Sequence, residues 1–506
     1  MIDPPVIDLS AIAPIGSVTL GAIAVLLAEV FLTRRRRVLG REMSASYIAA
    51  TLVVLSTIAL AIAAYTAMAG FASGASIGFL ADVPGVRLDR FSSFAIALIS
   101  LAAMLSCWLS LKYLAEVEID HGEFYALLLL STAGMMVLVA ATDFLMLFLG
   151  LELMSIPIYV LAGFDRRNLR SNESALKYFL VGSFASGLLL YGIALVYGVT
   201  GTLDFAAVRA ALPPGNPLAL VGIGLLIIGF AFKVSAVPFH QWTPDVYEGA
   251  PVAVTAYMSV TVKLAAFAAL LRVVVGAFGD VLASLQDVFW MLSLLTILVG
   301  NVMATIQTNV KRLLAYSSVA HAGYLLMGFA TGTAESYSAV LFYLLGYAFM
   351  NLGAFAVLVS LSTGGKDCER IEDLAGLARS RPGLAALLTL FAISLAGIPG
   401  TVGFTAKFFL FKASVDAGLI GLTIVAVFGS LVSVFYYLRL PVLMYMHEPG
   451  AAKLRPEAAT LELLVLGLCA AAVVLLGLFP IEGPSWLGLS TLRALDWART
   501  SAQFLF

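Results

Sequence analysis

Long apolar runs, each of membrane-spanning length, recur along the whole chain. A helix needs about 20 mostly apolar residues to cross a hydrocarbon core of about 30 Å. Counting such runs predicts fourteen helices, which begin near Ile12, Tyr47, Phe91, Phe124, Phe144, Ala175, Leu218, Pro251, Val288, Leu313, Ser338, Leu384, Gly418 and Leu461. The fourth and fifth runs are separated only by the corner at residues 141–143. The sequence therefore predicts an all-α polytopic membrane protein.

The composition supports this class and excludes several others. Charged residues make up 12% of the 506 residues, against about 25% in a typical soluble domain. A net charge of −1 gives no reason to expect a nucleic-acid partner. Cys107, Cys368 and Cys469 lie far apart and form no CxxC pair, so neither a disulfide framework nor an iron–sulfur site is indicated. Without a GxGxxG, a Walker loop or a metal-type His/Cys cluster, we expect no metal, cofactor or redox centre in this chain.

Basic residues outside the predicted spans indicate the orientation. They concentrate on one side when the N-terminus is placed outside, and the run Arg34–Arg37 after the first span is the clearest example. Loops rich in Lys and Arg face the cytoplasm. We therefore expect both termini on the periplasmic side of a bacterial inner membrane.

Two of the predicted helices contain a break beside a lysine. In the seventh, Lys233 precedes Pro238; in the twelfth, Pro399 and its neighbouring glycines precede Lys407. The reversed order is what two inverted repeats would produce, with helices 4–8 in one repeat and 9–13 in the other. Interrupted helices at matching positions of two halves indicate an ion site, although Pro and Gly are also common in membrane helices.

The repeats predict four segments along the chain. Helices 1–3 would occupy residues 1–122, the first repeat 123–278, the inverted repeat 279–447, and the last helix with its tail 448–506.

Charged side chains within the apolar runs are the candidate functional residues. A charge at bilayer depth costs roughly 2.5–3.5 kcal/mol on insertion scales and usually marks an ion pathway. Glu152 lies in the fifth run, and Lys233 would be its natural partner; a static ion pair or a protonated carboxyl is the alternative. Lys263 and Lys407 lie in apolar surroundings and could carry exchangeable protons, whereas snorkelling to the interface is the alternative.

Three further residues are candidates. Lys177 is near the start of the sixth span, where an interfacial and a buried position are both open. His240 follows Lys233 by seven residues, so both could face one aqueous cavity. His321 lies among small and hydroxylated residues that could hold water. A histidine titrates near physiological pH and could relay protons, or it could be a hydrogen-bonded packing residue.

Asp245 and Glu248 are expected to cap the eighth helix, or to form a site of proton uptake.

Three segments carry a resemblance to a known family. They are the GLELMSIPIYVL helix, the FKVSAVPFHQWTPD segment and the KRLLAYSSVAHAGY segment. The chain resembles the antiporter-like membrane subunits of respiratory complex I and the large subunits of multi-subunit sodium/proton antiporters. Within that family, the PDVYEGAP segment and a lysine in the twelfth helix, Lys407, resemble the subunit N branch.

The resemblance implies roles for particular residues. It implies that protons move through Glu152, Lys177, Lys233, Lys263 and Lys407, with His240 and His321 at positions where family members carry histidine. It also implies other membrane-arm subunits as partners. NAD(H), FMN, iron–sulfur clusters and quinone would be bound elsewhere in the complex.

From these features we expect a proton-translocating subunit of a NADH:quinone oxidoreductase. The Glu152–Lys233 pair would act as a switch and Lys263 and the histidines as a central relay. Lys407 would pass the proton outward or to the neighbouring subunit. The alternatives are a subunit of a sodium/proton antiporter, which needs the same residues, and a scaffold whose buried charges only hold helices together.

Overall fold

The computed structural model describes residues 7–39, 45–80, 83–362, 367–448, 459–481 and 493–505. Parts of the predicted C-terminal segment 448–506 therefore lie outside the described residues.

The described residues fold into nineteen α-helices and one β-hairpin. The helices are α1 Ala13–Leu39, α2 Ala45–Ser73, α3 Arg90–Val117, α4 Gly122–Ala140, α5 Phe144–Ala162, α6 Leu169–Thr200, α7 Phe205–Ala211, α8 Pro217–Val234, α9 Trp242–Gly249, α10 Val252–Gly276, α11 Leu282–Thr305, α12 Val310–Thr331, α13 Ala334–Leu361, α14 Leu377–Ser380, α15 Pro382–Ala396, α16 Val402–Asp416, α17 Ile420–Met446, α18 Thr460–Leu478 and α19 Ala494–Gln503. Antiparallel strands β1 Ile77–Leu80 and β2 Val83–Leu88 join α2 to α3.

The helix prediction is confirmed. Within the described residues, thirteen helices are long and apolar enough to cross a membrane by length and composition. The remaining predicted span, the twelfth, is divided into α15 and α16, so neither piece reaches that length. The seventh predicted span is likewise interrupted, with the short helix α9 following α8 after residues 235–241.

The chain divides into two compact units. Unit 1 contains residues 1–229 and 261–278, and unit 2 contains residues 230–260 and 279–506. Within unit 1, α4 packs against α5 and α1, and α2 packs against α3. Within unit 2, α11 packs against α12 and α17, while α13 packs against α15, α16 and α18.

Glycines allow close helix crossings in both units. A methyl group on Gly150 of α5 would lie 2.6 Å from the backbone nitrogen of Leu138 on α4. In unit 2, a methyl group on Gly300 of α11 would lie 2.6 Å from the backbone nitrogen of Ala320 on α12. Real Cβ atoms do not approach backbone this closely, so a larger residue at either position would force the helices apart.

A short backbone bridge fixes the corner at the start of α5. The Phe144 N–H donates to the Leu203 carbonyl at 3.0 Å, and the Phe205 N–H donates to the Thr142 carbonyl at 3.0 Å. Asp143 lies at the centre of this bridge and caps α5 by accepting the Met146 N–H at 2.8 Å.

The corner at the start of α12 is built in the same way. The Val310 N–H donates to the Glu369 carbonyl at 2.8 Å, and the Ile371 N–H donates to the Thr308 carbonyl at 2.9 Å. Asn309 takes the central position and accepts the Lys311 N–H at 2.8 Å.

Candidate functional site

The first interruption places Lys233 in the last turn of α8. Its side chain is buried, with 3% of the residue exposed, and its ammonium lies 5.6 Å from the ring centre of Phe232. The helix stops because Ser235 adopts a left-handed conformation (φ 65°) and Pro238 has no N–H to continue the helical ladder.

Side chains satisfy the polar groups that this interruption exposes. The Val237 N–H donates to the Thr296 hydroxyl at 3.0 Å, and the Thr243 hydroxyl donates to Ser235 Oγ at 2.7 Å. The Trp242 indole N–H donates to the Phe232 carbonyl at 3.1 Å. The break is therefore a defined structure, in which buried polar atoms next to Lys233 have partners.

The second interruption holds Lys407 by the end of the preceding helix. Its ammonium donates to the carbonyls of Ala396 at 2.8 Å and Leu395 at 3.2 Å, and to the Ser430 hydroxyl at 2.9 Å. The last carbonyls of a helix have no partner within the helix and carry its negative dipole end. Stopping α15 at Ala396 therefore creates a binding site for a cation inside an apolar region.

Two glycines leave room for this arrangement. Gly397 ends α15 in the left-handed conformation (φ 87°), and a methyl group there would lie 2.9 Å from Lys407 Cδ. A methyl group on Gly403 would overlap the Ser394 carbonyl. Side chains at either position would push α16 away from α15 and displace the lysine.

His321 of α12 is buried and bonded at both ring nitrogens. Its Nδ1 lies 2.7 Å from the Tyr343 hydroxyl on α13, and its Nε2 lies 3.2 Å from the Tyr437 hydroxyl on α17. The Tyr437 hydroxyl also hydrogen-bonds to Ser317, one turn before His321 on α12. A histidine with a hydroxyl at each nitrogen keeps a partner for either nitrogen in both protonation states.

A second line of polar side chains links this region to Lys407. Tyr436 lies against Tyr437, with ring centres 4.6 Å apart, and donates to Asn301 Oδ1 at 3.1 Å. Asn301 Nδ2 in turn donates to the Tyr324 hydroxyl at 3.2 Å. The Tyr324 ring centre lies 5.1 Å from the Lys407 ammonium, a cation–π distance. The structure thus brings His321 and Lys407 into one network within unit 2.

His240 contacts the same helix. Its ring centre lies 6.3 Å from that of Tyr316, the residue before Ser317. Its Nδ1 is buried without a hydrogen-bond partner. A buried polar atom without a partner marks a place where a water or a transferred proton would be stabilised.

Asp245 and Glu248 lie within α9, so the expectation that they cap the eighth helix is wrong. Arg312 at the start of α12 binds both carboxylates at 2.8 Å. The two acids lie three residues apart in one short helix, which points both at the same guanidinium.

Lys311, which precedes the tenth predicted span, was not identified as a candidate residue from the sequence. It is 1% exposed, and its ammonium donates to the Ala250 carbonyl and to Asp367, each at 2.9 Å. The partners are far away in sequence, and the Lys-Arg pair before an apolar run was the only signal.

The remaining candidates lie in unit 1. Lys263 is buried inside α10, with 2% of the residue exposed. Glu152 is half-buried in α5, and its Oε1 is buried without a hydrogen-bond partner. Lys177 has a side chain 44% exposed and pairs with Glu173 one turn earlier on α6 at 2.7 Å. Because Glu152 and Lys233 belong to different units, their pairing stays a prediction.

One group in unit 1 has the geometry of a metal cluster. Ligand atoms of Glu29, His121 and Glu123 lie within 4.8 Å of one another, among the described residues. Glu29 already accepts the Gly122 N–H at 2.7 Å and so caps α4. Exposed acidic groups of this kind are common without an ion.

The fold and these sites together define a class: polytopic helical membrane proteins with buried lysines beside interrupted helices. The family model described as NADH:quinone oxidoreductase/Mrp antiporter, transmembrane, matches residues 141–433. This chain belongs to that family.

Individual relatives support this membership. NADH-quinone oxidoreductase subunit N of Trichlorobacter lovleyi is 46% identical over 448 residues, which cover 88% of this chain and 88% of that protein. A chain of respiratory complex I from Thermus thermophilus, solved with bound aureothin, is 33% identical with a TM-score of 0.77, covering 92% of this chain and 97% of that one. A chain of the Mrp complex from a Dietzia species shares the fold at 24% identity, with a TM-score of 0.83 over 98% of this chain and 97% of that one.

Proposed function

We propose that this chain is a proton-translocating membrane-arm subunit of a NADH:quinone oxidoreductase. Its sequence similarity to proteins named as subunit N supports assembly with other subunits of such a complex. The NAD(H), FMN, iron–sulfur and quinone sites would lie in those partners. Coupling to electron transfer would then be electrostatic, through charges that move within the membrane.

The observation that carries the proposal is the binding of Lys407 by the end of α15. A buried ammonium held only by neutral dipoles can lose its proton without leaving an opposite charge unpaired. A buried lysine with a purely structural role is expected to form an ion pair with a carboxylate, as Lys311 does with Asp367. The arrangement therefore favours a group that gains and loses a proton during turnover.

The proposed route begins at Glu152 and ends at Lys407. Glu152 and Lys233 act as the switch, and Lys177 is a further proton-translocation residue. Lys263, His240 and His321 form the relay in the middle. Lys407 passes the proton outward or to the next subunit. Water in the two interrupted helices would bridge these groups.

The repeat arrangement also belongs to this proposal. The corner at Asp143 and the corner at Asn309 have the same two backbone hydrogen bonds. The number of residues between each corner and the segment to which it bonds is also the same. The crossing glycines of α4–α5 and α11–α12 add a second correspondence. These features support two repeats, residues 123–278 and 279–447, in which α8–α9 and α15–α16 are counterparts.

Replacement of Lys233 by alanine tests the function. In an assembled complex, Lys233→Ala should abolish most proton translocation coupled to NADH oxidation, measured as acidification of inverted membrane vesicles. Unchanged pumping by the assembled variant would refute the assignment.

Purification of the complex distinguishes an oxidoreductase subunit from the alternative, an antiporter subunit. Co-purification of flavin- and iron–sulfur-containing subunits with a tagged chain is expected for the oxidoreductase. A complex that lacks them and exchanges sodium for protons across vesicles would instead identify an antiporter subunit.

A further inference from the structure

Two hydroxyl groups form a continuous hydrogen-bonded line to one nitrogen of His321. Ser317 Oγ bonds to the Tyr437 hydroxyl, and that hydroxyl lies 3.2 Å from His321 Nε2. All three residues are buried; Ser317 is 0% and His321 1% exposed. Ser317 and His321 are four residues apart on α12, so both face α17 from successive turns.

The other nitrogen is occupied by a different tyrosine. Tyr343 lies 2.7 Å from His321 Nδ1. A neutral imidazole has one N–H donor and one acceptor nitrogen. If Nδ1–H donates to Tyr343, then Nε2 accepts the Tyr437 O–H, and Nε2 is the nitrogen that takes up a further proton.

The line through Asn301 cannot deliver that proton. Tyr436 donates to the Asn301 carbonyl oxygen, and the Asn301 amide nitrogen donates to Tyr324. An amide side chain keeps its own two hydrogens and does not pass a proton from its oxygen to its nitrogen as a hydroxyl does. This line fixes the positions of Tyr436 and Tyr324, whereas both members of the Ser317–Tyr437 line are hydroxyls.

We propose that Ser317 and Tyr437 form the path by which protons reach and leave Nε2 of His321. This rests on the proposed function, because it requires His321 to be a relay group. The proton comes from a hydrated proton on the Ser317 side. Its transfer forms an O–H bond on Ser317, the former Ser317 hydrogen moves to Tyr437, and the former Tyr437 hydrogen moves to Nε2.

This transfer conserves atoms and charge, and it reverses the direction of the hydrogen bonds along the path. One O–H bond of the hydrated proton breaks and leaves water, two O–H bonds break and two form on the hydroxyls, one N–H bond forms, and the positive charge ends on the imidazolium. The hydrogen bonds that ran from Ser317 to His321 now run from His321 to Ser317. The hydroxyls must turn back before the next proton can pass in the same direction, so the path alternates between two states.

The groups facing His321 are compatible with this role. They include Tyr343 and Tyr347 from α13, Tyr437 from α17 and, on α12 itself, Tyr324, whose ring centre also lies 5.1 Å from the Lys407 ammonium on α16. These tyrosines are neutral at ordinary pH. Lys407 is the nearby cation, so a proton on His321 and a proton on Lys407 repel each other, which favours onward release.

A neighbouring Tyr–Ser pair provides a matched control. Tyr347 of α13 donates to Ser318 of α12 at 3.0 Å, and both residues are as deeply buried as Tyr437 and Ser317. Tyr437→Phe and Ser317→Ala each remove one hydroxyl from the proposed path. Tyr347→Phe and Ser318→Ala remove the same groups one residue away, and Ser317→Thr restores a hydroxyl at the proposed position.

The test measures NADH-driven acidification of inverted vesicles in H₂O and D₂O, at equal amounts of assembled complex. Tyr437→Phe and Ser317→Ala should lower the translocation rate by about a hundredfold or more, the scale of a lost proton-transfer group, and change the solvent isotope effect. Tyr347→Phe and Ser318→Ala should remain close to the unmodified complex, and Ser317→Thr should recover most of the rate lost in Ser317→Ala. Should Tyr437→Phe fail to assemble, the comparison of Ser317→Ala with Ser317→Thr decides.

Lys233→Ala serves as the reference that separates the two proposals. If it abolishes translocation while Tyr437→Phe and Ser317→Ala retain the normal rate and isotope effect, the path is refuted and the function stands. If Ser318→Ala and Ser317→Ala are equally impaired, the hydroxyls are structural and the path is also refuted. If Lys233→Ala pumps normally, the proposed function itself fails.

Discussion

The two lysines of α16 show how position within one helix decides what a charge does. Lys407 is buried and bound by carbonyl oxygens, whereas Lys412 is about half exposed and forms an ion pair with Asp416 at 2.6 Å. An exposed i,i+4 pair contributes little to stability, because water screens the two charges. A buried ammonium without its dipoles would be far more costly.

Substituting each lysine by methionine should therefore give opposite results. Lys407→Met keeps much of the side-chain volume but removes the exchangeable proton, and should lower coupled proton translocation by at least about tenfold. Lys412→Met should leave it unchanged. Vesicle acidification, normalised to assembled complex, measures both. Equal activity of the two variants would show that Lys407 has no part in the relay.

Single residues also show where sequence reasoning succeeds and where it stops. A lysine in a membrane-length apolar run is visible in the sequence, and Lys233, Lys263 and Lys407 are buried as expected. Arg272 and Lys311 are also buried, but they were not among the predicted candidates because their partners lie far away in sequence. Arg272 binds Asp89 in unit 1 as a buried ion pair. Distance along the chain hides such pairs, since charge patterning detects only near neighbours.

At the scale of elements, interruptions could be predicted but their contacts could not. Pro238 and Pro399 mark both breaks in the sequence, because proline ends a helical ladder. Nothing in the sequence indicates that Lys407 turns back to the carbonyls of α15. Tyr343 and Tyr437 were also missed, because tyrosines in apolar helices are typical of ordinary core packing.

The helix crossings make a further prediction at this scale. Gly300→Ala places a methyl group against the α12 backbone and should destabilise the protein by about 1–3 kcal/mol. Gly187→Ala on α6 meets no atom within 4 Å and should stabilise it by about 0.5–1 kcal/mol, because alanine favours helix. The midpoint of thermal unfolding in detergent measures both shifts. A destabilising Gly187→Ala or a neutral Gly300→Ala would contradict the crossing geometry.

At the scale of the whole molecule, the sequence predicted the number of spans but left their sidedness open to test. Charge in the loops predicts that both termini lie on the periplasmic side, whereas the helices alone are equally compatible with either orientation. Apolar runs depend only on local composition, which explains why the number of spans could be predicted from the sequence. Sidedness depends on insertion into a membrane and requires a measurement from each side.

Cysteine labelling provides that measurement. A membrane-impermeant maleimide should label Leu9→Cys in right-side-out vesicles and Arg166→Cys only in inverted ones; both positions are exposed. Cys107 and Cys469 are buried. Burial raises the pKa of the Cys368 thiol to about 12, so this thiol stays protonated at pH 7 and reacts slowly. Labelling of Cys368 should accelerate as the pH rises. If Leu9→Cys is labelled only in inverted vesicles and Arg166→Cys in right-side-out ones, the predicted topology is inverted.

The carbonyl oxygens that hold Lys407 differ from a carboxylate partner in one respect. A carboxylate can itself take up a proton, so a lysine–carboxylate pair shares its protons between two groups. Peptide carbonyls and the Ser430 hydroxyl keep the same charge throughout the physiological pH range. The net charge of this pocket therefore changes by one unit for each proton that Lys407 binds or releases, and a neighbouring group would sense every such step at full strength.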